Sequence, residues 1–209
     1  MYLAIMGVFF FFAAALAVTF RLELFWPDEQ FLTNDMYNRL LTLHGVVMIF
    51  IFIIPGIPAV FGNFFLPIMI GAEDVAFPRI NLLSWYCFVG GGILAIISVL
   101  MGGPDTGWTF YVPYSMKTDQ NILLPMMAAF VLGWSSILTG VNFITTTHRL
   151  RAKNVGWFRM PLFVWALYAT AWIQLLATPV IGITLVMVLI EKYLGVAIFD
   201  PARGGDPLL

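Results

Sequence analysis

The chain has 209 residues, 61% hydrophobic and 10% charged, with a formal net charge of −1. Soluble domains carry about a quarter charged residues, so this composition excludes a soluble globular domain and indicates an integral membrane protein. The single cysteine, Cys87, excludes an internal disulfide; it falls in an apolar run and reads as a small buried hydrophobe. The balanced charge, with no long Lys/Arg block, argues neither for nor against a nucleic acid partner.

The first apolar run, residues 1–21, holds no charge before Arg21. A cleaved signal needs a basic leader and a shorter apolar core, so the run reads as a membrane helix that starts abruptly, with something expected upstream. Further runs at 39–70, 82–101, 122–146 and 161–190 are each long enough to cross about 30 Å of hydrocarbon. Backbone groups in lipid must be satisfied internally, and the runs lack the period-two alternation of a barrel, so all five are expected to be helices. The second contains Pro55, Pro58 and Pro67, each of which removes a donor from the helical ladder, so kinks or a tilt are expected there.

Sidedness follows from loop cations. The fourth loop, HRLRAKNVGWFR, holds Arg149, Arg151, Lys153 and Arg159, which places it on the cytoplasmic side. Alternation puts the Asp74 loop on the same side and the other loops outside. A crude Lys/Arg total is less decisive, since the two sides tie at five each. The sequence shows no internal repeat, low-complexity segment or linker.

Polar residues within the spans are the candidate functional groups. His44 lies five residues beyond Arg39, about 7–8 Å of helix rise from the outer end. A histidine there is either hydrogen-bonded across helices or a metal ligand. Neighbouring Gly45 lets another helix or a flat cofactor come close. His148 begins the basic loop and reads as interfacial. On the fourth span Ser135, Thr139, Asn142 and Thr146 follow at steps of 4, 3 and 4 and so share one face, with Ser136 beside them. The stripe runs toward the side of Asp74; Asn63, Asn81 and Ser84 fall in the same half of their helices. Such residues are either interhelical glue or a hydrated proton path, and spacing alone leaves both open. The outer segments FWPDEQ, GGPDTGWTFYVPY and FDPARGGDPLL are acidic and aromatic; they read as a polar cap with interfacial anchors or as cover for a cofactor edge, with Trp108 and Arg21 as candidates.

The stretch LTLHGVVMIFIFIIPGIPAVFGNFFLPIMIGAEDVAFPRIN, residues 41–81, resembles subunit I of the haem-copper terminal oxidases, the group of cytochrome c oxidase. GWTFYVPYS, WSSILTGVNFITT, PLFVWALYATA and FDPARGGDP follow in the family's order, so the resemblance covers residues 1–209 as one unit. It implies an all-α fold whose five helices are part of a twelve-helix bundle. It implies that His44 is an axial ligand of a low-spin haem, of the a type by this reading, and that Arg21 and Trp108 adjoin that haem. It implies a Na/Ca site near Glu23 and a proton channel that begins at Asp74 and is lined by Asn63, Asn81, Asn142, Ser135 and Ser136.

The copper-binding histidines, the second axial ligand, the high-spin haem ligand and the cross-linked tyrosine belong beyond residue 209 by this resemblance. A split gene or a partial chain is therefore expected, and a companion sequence bearing HPEVY would supply the sixth helix. The implied partners are the remainder of subunit I, oxidase subunits II and III, and cytochrome c or a fused or bound cytochrome domain, with no nucleic acid. Quinol-oxidising relatives carry His and Gln where this chain has Met36 and Arg39, which favours a cytochrome donor over quinol. The implied location is a bacterial cytoplasmic membrane rather than the mitochondrial inner membrane. The competing readings are a truncated, non-catalytic membrane scaffold and an ion channel or transporter that uses the polar stripe alone.

Overall fold

The computed structural model describes residues 1–28 and 30–209; Glu29, one of the acids of FWPDEQ, lies outside the described residues. Among the described residues, five helices are long and apolar enough to cross a membrane: α1 (Tyr2–Glu23), α2 (Asn34–Ile70), α3 (Pro78–Leu100), α4 (Leu123–Arg149) and α5 (Leu162–Leu194). No strand occurs among the described residues. The chain is thus a multi-pass, all-α membrane protein, as its composition requires.

The helices overrun the apolar segments where a polar residue closes an end. α2 starts at Asn34, five residues before the expected start at 39, because the Thr33 hydroxyl accepts the Met36 N–H at 3.3 Å. That side chain satisfies one of the orphan donors of a helix N-terminus. α3 starts at Pro78, which tolerates the first turn because its missing N–H needs no partner there. The prolines of α2 have a definite effect: the helix widens into π turns over Val47–Ile53 and Gly56–Gly62 before returning to α geometry at Asn63–Ile70.

The bundle centres on α4, which packs against α3 and α5 along much of its length. A Cβ on Gly140 would lie 2.9 Å from the Ala171 carbonyl oxygen, so only glycine allows α4 and α5 to approach this closely. Three apolar clusters fill the bundle. One joins α1, α2, α3 and α4 around Phe9, Ile51 and Phe88. Another joins α4 and α5 to the 101–122 loop around Ile122 and Met126. The third gathers Leu66, Ile70, Phe143 and Leu167. Cys87 is half-buried rather than part of these clusters, because it faces the rim of α3 while Ser84, Phe88 and Gly91 turn inward.

Loops 71–77 and 150–161 meet at one end of the bundle, where the Ala152 N–H donates to Ile70 O at 2.9 Å. Segments 24–33, 101–122 and 195–209 form the other, loop-rich end. There Gly107 N–H donates to Thr42 Oγ1 at 3.0 Å, Gln120 Nε2 to Asp35 Oδ1 at 3.1 Å, and Lys192 Nζ to Thr118 O.

Although the sequence shows no repeat, the structure uses one device twice at this end. Glu23, near the end of α1, accepts the N–H groups of Gln30, Phe31 and Leu32 at 2.7, 3.0 and 3.1 Å. Glu191, near the end of α5, accepts those of Ile198, Phe199 and Asp200 at 3.1, 2.6 and 3.0 Å. In both cases the donors are seven, eight and nine residues on. Each carboxylate is buried, Glu23 at 6% exposure and Glu191 at 1%, and its charge is satisfied by successive backbone donors rather than by a cation. Glu191 explains why α5 continues past the expected end at 190.

The last loop also carries a pH dependence. The Ala202 N–H and then the Arg203 side chain hold the Asp200 carboxyl below its usual range. A depressed folded pKa contributes stability that is complete above the unfolded value and is lost as pH falls through the folded one. Hydrogen-exchange protection of the Ala202 amide, referenced to intrinsic rates, is therefore expected to hold from neutral pH down to about pH 4 and to decline below it. Protection that stays constant through more acidic pH would contradict this.

Candidate functional site

His44 sits on α2 nearly three helical turns beyond Asn34, at the seam between α2 and α1. Its Nδ1 lies 2.9 Å from the carbonyl oxygen of Ala13. A carbonyl only accepts, so Nδ1 carries a proton, and in the neutral tautomer this selects Nε2 holds the lone pair. Nε2 makes no hydrogen bond to a described residue, and the Phe20 ring stands edge-on to the imidazole at 5.5 Å. The histidine is thus bonded across helices through one nitrogen, while the other has no hydrogen-bond partner among the described residues.

A Cβ at Gly45 would meet Trp108 Cβ and Cδ1 at 3.0 Å each, so within this chain the close approach beside His44 is made by Trp108. Trp108 is 43% exposed and lies edge-on to Phe50 at 6.2 Å. Arg21 is exposed on the last turn of α1, adjacent to Phe20, and pairs with no carboxylate among the described residues. Glu23 already directs its oxygens at three N–H donors. No group of three His, Cys, Asp or Glu able to hold a metal ion occurs among the described residues.

The polar stripe of α4 faces α3 and the 71–77 loop. Asn142 Oδ1 accepts the Phe77 N–H at 2.9 Å and its Nδ2 donates to Phe77 O at 3.3 Å. Thr146 Oγ1 accepts the Ala76 N–H at 2.9 Å. These two residues thus cap the entrance to α3 and fix the segment just after Asp74. Asp74 itself is exposed, with Oδ1 accepting the Val75 N–H at 2.7 Å. Deeper in, Ser135 donates to Ser84 O at 2.7 Å, Thr139 to Ser135 O at 2.9 Å, and Ser84 to Asn81 O at 2.8 Å. With the Ser84 proton committed, the Tyr2 hydroxyl donates to Ser84 Oγ at 2.6 Å.

Tyr2 is a member that sequence reasoning missed. It lies 82 residues from Ser84, and as the second residue of an apolar run it gives no local signal. Ser136 does not join the stripe's contacts; it lines a cavity of about 690 Å³ between α4 and α5, with Phe50, Trp134, Thr178 and Pro179. Asn63 Oδ1 and Asn81 Oδ1 are buried without a partner. His148, at the end of α4, is exposed and bonded through Nε2 to the Tyr168 hydroxyl at 2.8 Å.

The whole chain, residues 1–209, matches the family model described as cytochrome c and quinol oxidase polypeptide I. The chain belongs to that family. Similar curated proteins are each named cytochrome c oxidase subunit 1. That of Synechocystis sp. is 40% identical over 209 residues, covering 100% of this chain and 38% of its own length. That of Thermostichus vulcanus is 38% identical over 209 residues with the same coverage, and that of Candida albicans is 39% identical over 203 residues, covering 94% of this chain and 38% of its own length. The chain thus spans 38% of the length of these relatives, and the five helices are this family's architecture over that stretch.

Proposed function

We propose that this chain is the part of a proton-pumping terminal oxidase subunit that supplies one axial ligand of a low-spin haem and the intake of a proton path, within a complex that reduces oxygen to water. The observation that carries the reading is His44: a histidine inside a membrane helix, with Nδ1 held by Ala13 and Nε2 left as a lone-pair donor. A ligating histidine usually has its other ring N–H fixed by a carbonyl or carboxylate, which sets ring orientation and raises ligand basicity. The residues therefore fit the group. A haem with both axial positions filled by histidines relays single electrons and does not bind oxygen.

His44 Nε2 would hold the iron, and the Ala13 carbonyl would keep the imidazole from rotating. Arg21, an unpaired cation on the last turn of α1, would approach the edge of the haem and shift its potential. Trp108 would close the loop-rich side and limit water. The second axial histidine, the high-spin haem and copper are assigned to the remainder of subunit I. Subunits II and III and a cytochrome donor complete the complex. Absence of His and Gln at positions 36 and 39 favours that donor over quinol. The two bacterial relatives support the bacterial cytoplasmic membrane, with the basic end facing the cytoplasm.

On that side Asp74 takes up protons from solvent. Asn63 and Asn81 offer orphaned buried carboxamide oxygens, which suit water as a donor. The hydroxyls of Ser135, Thr139 and Ser84 have their own protons committed to carbonyls, so what they offer a neighbouring water is a lone pair, and on Ser84 the Tyr2 hydroxyl takes one. Such a lining solvates a protonated water and does not compete with it as a donor. Asn142 and Thr146 position the mouth by anchoring Phe77 and Ala76.

Asp74→Asn is expected to slow proton uptake by the assembled complex about tenfold or more, with its visible spectrum unchanged. Uptake at the wild-type rate would remove Asp74 from the path. A scaffold or a channel would show no haem bands at all, so the same spectra separate those readings from this one.

A further inference from the structure

We infer that the 148–159 segment is a docking site for the anionic headgroups of phospholipids in the membrane leaflet at the basic end. The inference starts from charge. That end carries Arg79, Arg149, Arg151, Lys153 and Arg159 against Glu73 and Asp74 only, and the other eight Asp and Glu of the described residues are at the loop-rich end. Both ion pairs among the described residues, Asp35 with Arg39 and Asp200 with Arg203, are also at the loop-rich end. The loop's four cations thus have no carboxylate within pairing distance among the described residues.

These cations stand on a rigid platform. Arg151 lies over the Trp157 ring at 3.8 Å, with its Nε buried and unpartnered. Trp157 in turn packs against His148, Trp165 and Tyr168 at centroid distances of 5.1, 5.7 and 5.6 Å. The Trp165 indole N–H donates to Trp157 O at 3.2 Å. Arg149, Lys153 and Arg159 remain exposed around this platform.

The platform also presents apolar surface. Phe158, between Trp157 and Arg159, is 102% exposed, and Leu162 is 86% exposed. Leu162 begins the outward face of α5, which continues through Ile173, Leu176 and Val180. An exposed Phe among cations and closely packed Trp rings, at the end of a helix whose outward face is apolar, matches the boundary between headgroups and acyl chains. Polybasic segments beside a membrane helix attract anionic lipids, and Arg recognises phosphate with a fixed fork of donors. Of the occupants such a face could take, a phosphodiester headgroup with its acyl chains beside Phe158 and Leu162 satisfies both the charge and the apolar surface.

The test uses the assembled complex that contains this chain, in phosphatidylcholine bilayers, with spin-labelled phosphatidylglycerol and phosphatidylcholine compared by electron paramagnetic resonance. The expected result is preferential immobilisation of phosphatidylglycerol at the protein surface. The preference should fall by up to about fivefold per cation removed in an Arg149→Gln, Arg151→Gln, Lys153→Gln, Arg159→Gln variant. It should be retained when the arginines are instead changed to Lys, and lost in the wild type at about 1 M salt, where the Debye length is about 3 Å. Equal immobilisation of both lipids by the wild type would overturn the inference and indicate a protein contact there. A preference that survives the Gln changes or high salt would overturn it as well. None of these readouts depends on haem or on proton uptake, so failure here leaves the oxidase reading untouched, and the converse also holds.

Discussion

His44→Leu is expected to abolish the low-spin haem bands in reduced-minus-oxidised spectra of the assembled complex while leaving helix content by circular dichroism unchanged. Leucine removes the Nε2 lone pair, and no nearby side chain can replace it. His148, the other histidine, is at the opposite end of the bundle. Loss of the hydrogen bond to Ala13 O costs little, about 0.5–1.5 kcal/mol, so the fold should survive. Retention of the bands in this variant would remove His44 as a ligand. Collapse of the helical signal would mean that the histidine serves packing instead.

Glu191→Leu is expected to have the largest effect on local stability. It strands three consecutive N–H groups, of half-buried Ile198 and of buried Phe199 and Asp200, that now share one carboxylate. Hydrogen bonds to charged groups contribute about 1.5–3 kcal/mol each, and buried donors left unsatisfied carry a further penalty. A loss of about 3–5 kcal/mol from the 195–209 segment is therefore expected. Trypsin cleavage after Arg203 should accelerate by more than tenfold, while cleavage in the 150–161 loop should not change. Glu191→Gln should fall between, since one amide oxygen still accepts but the amide nitrogen faces a backbone donor. An unchanged cleavage rate after Arg203 in the leucine variant would show that Glu191 does not hold the loop.

Much of this architecture was legible in the residues. Length and apolarity alone locate five crossings, because lipid forces every backbone bond inside the helix. Prolines at 55 and 58 mark the irregular part of α2, while Pro67 sits in its regular last turns; the form of the irregularity, two π turns, depends on neighbours that spacing does not reveal. Helix ends were less legible. Thr33 and Glu191 extend their helices through side-chain bonds, and hydropathy does not register those.

The candidate site divides in the same way. The regular spacing of Ser135, Thr139, Asn142 and Thr146 showed that they share a face. It could not show that Asn142 and Thr146 bind Phe77 and Ala76, since those partners lie 65 and 70 residues away. Nor could it separate Ser136, which turns into the α4–α5 cavity, from Ser135 next to it. Tyr2 was invisible for a similar reason, because a hydroxyl on an aromatic ring inside an apolar run does not break the pattern. At Gly45 the sequence indicated a close approach but not by what, and the approach is made by Trp108. The matched nests at Glu23 and Glu191 share only a carboxylate and a spacing to backbone donors, which leaves no repeat in side-chain identity.

Imaging the iron beside His44 tests the central claim most directly. An experimental density map of the assembled complex, with anomalous scattering recorded at the iron edge, would locate the metal relative to the α1–α2 seam. The expected result is an iron peak within bonding distance of His44 Nε2, with Nδ1 still donating to the Ala13 carbonyl. An iron peak elsewhere, or a His44 whose Nε2 bonds to protein or lipid with no iron beside it, would contradict the account.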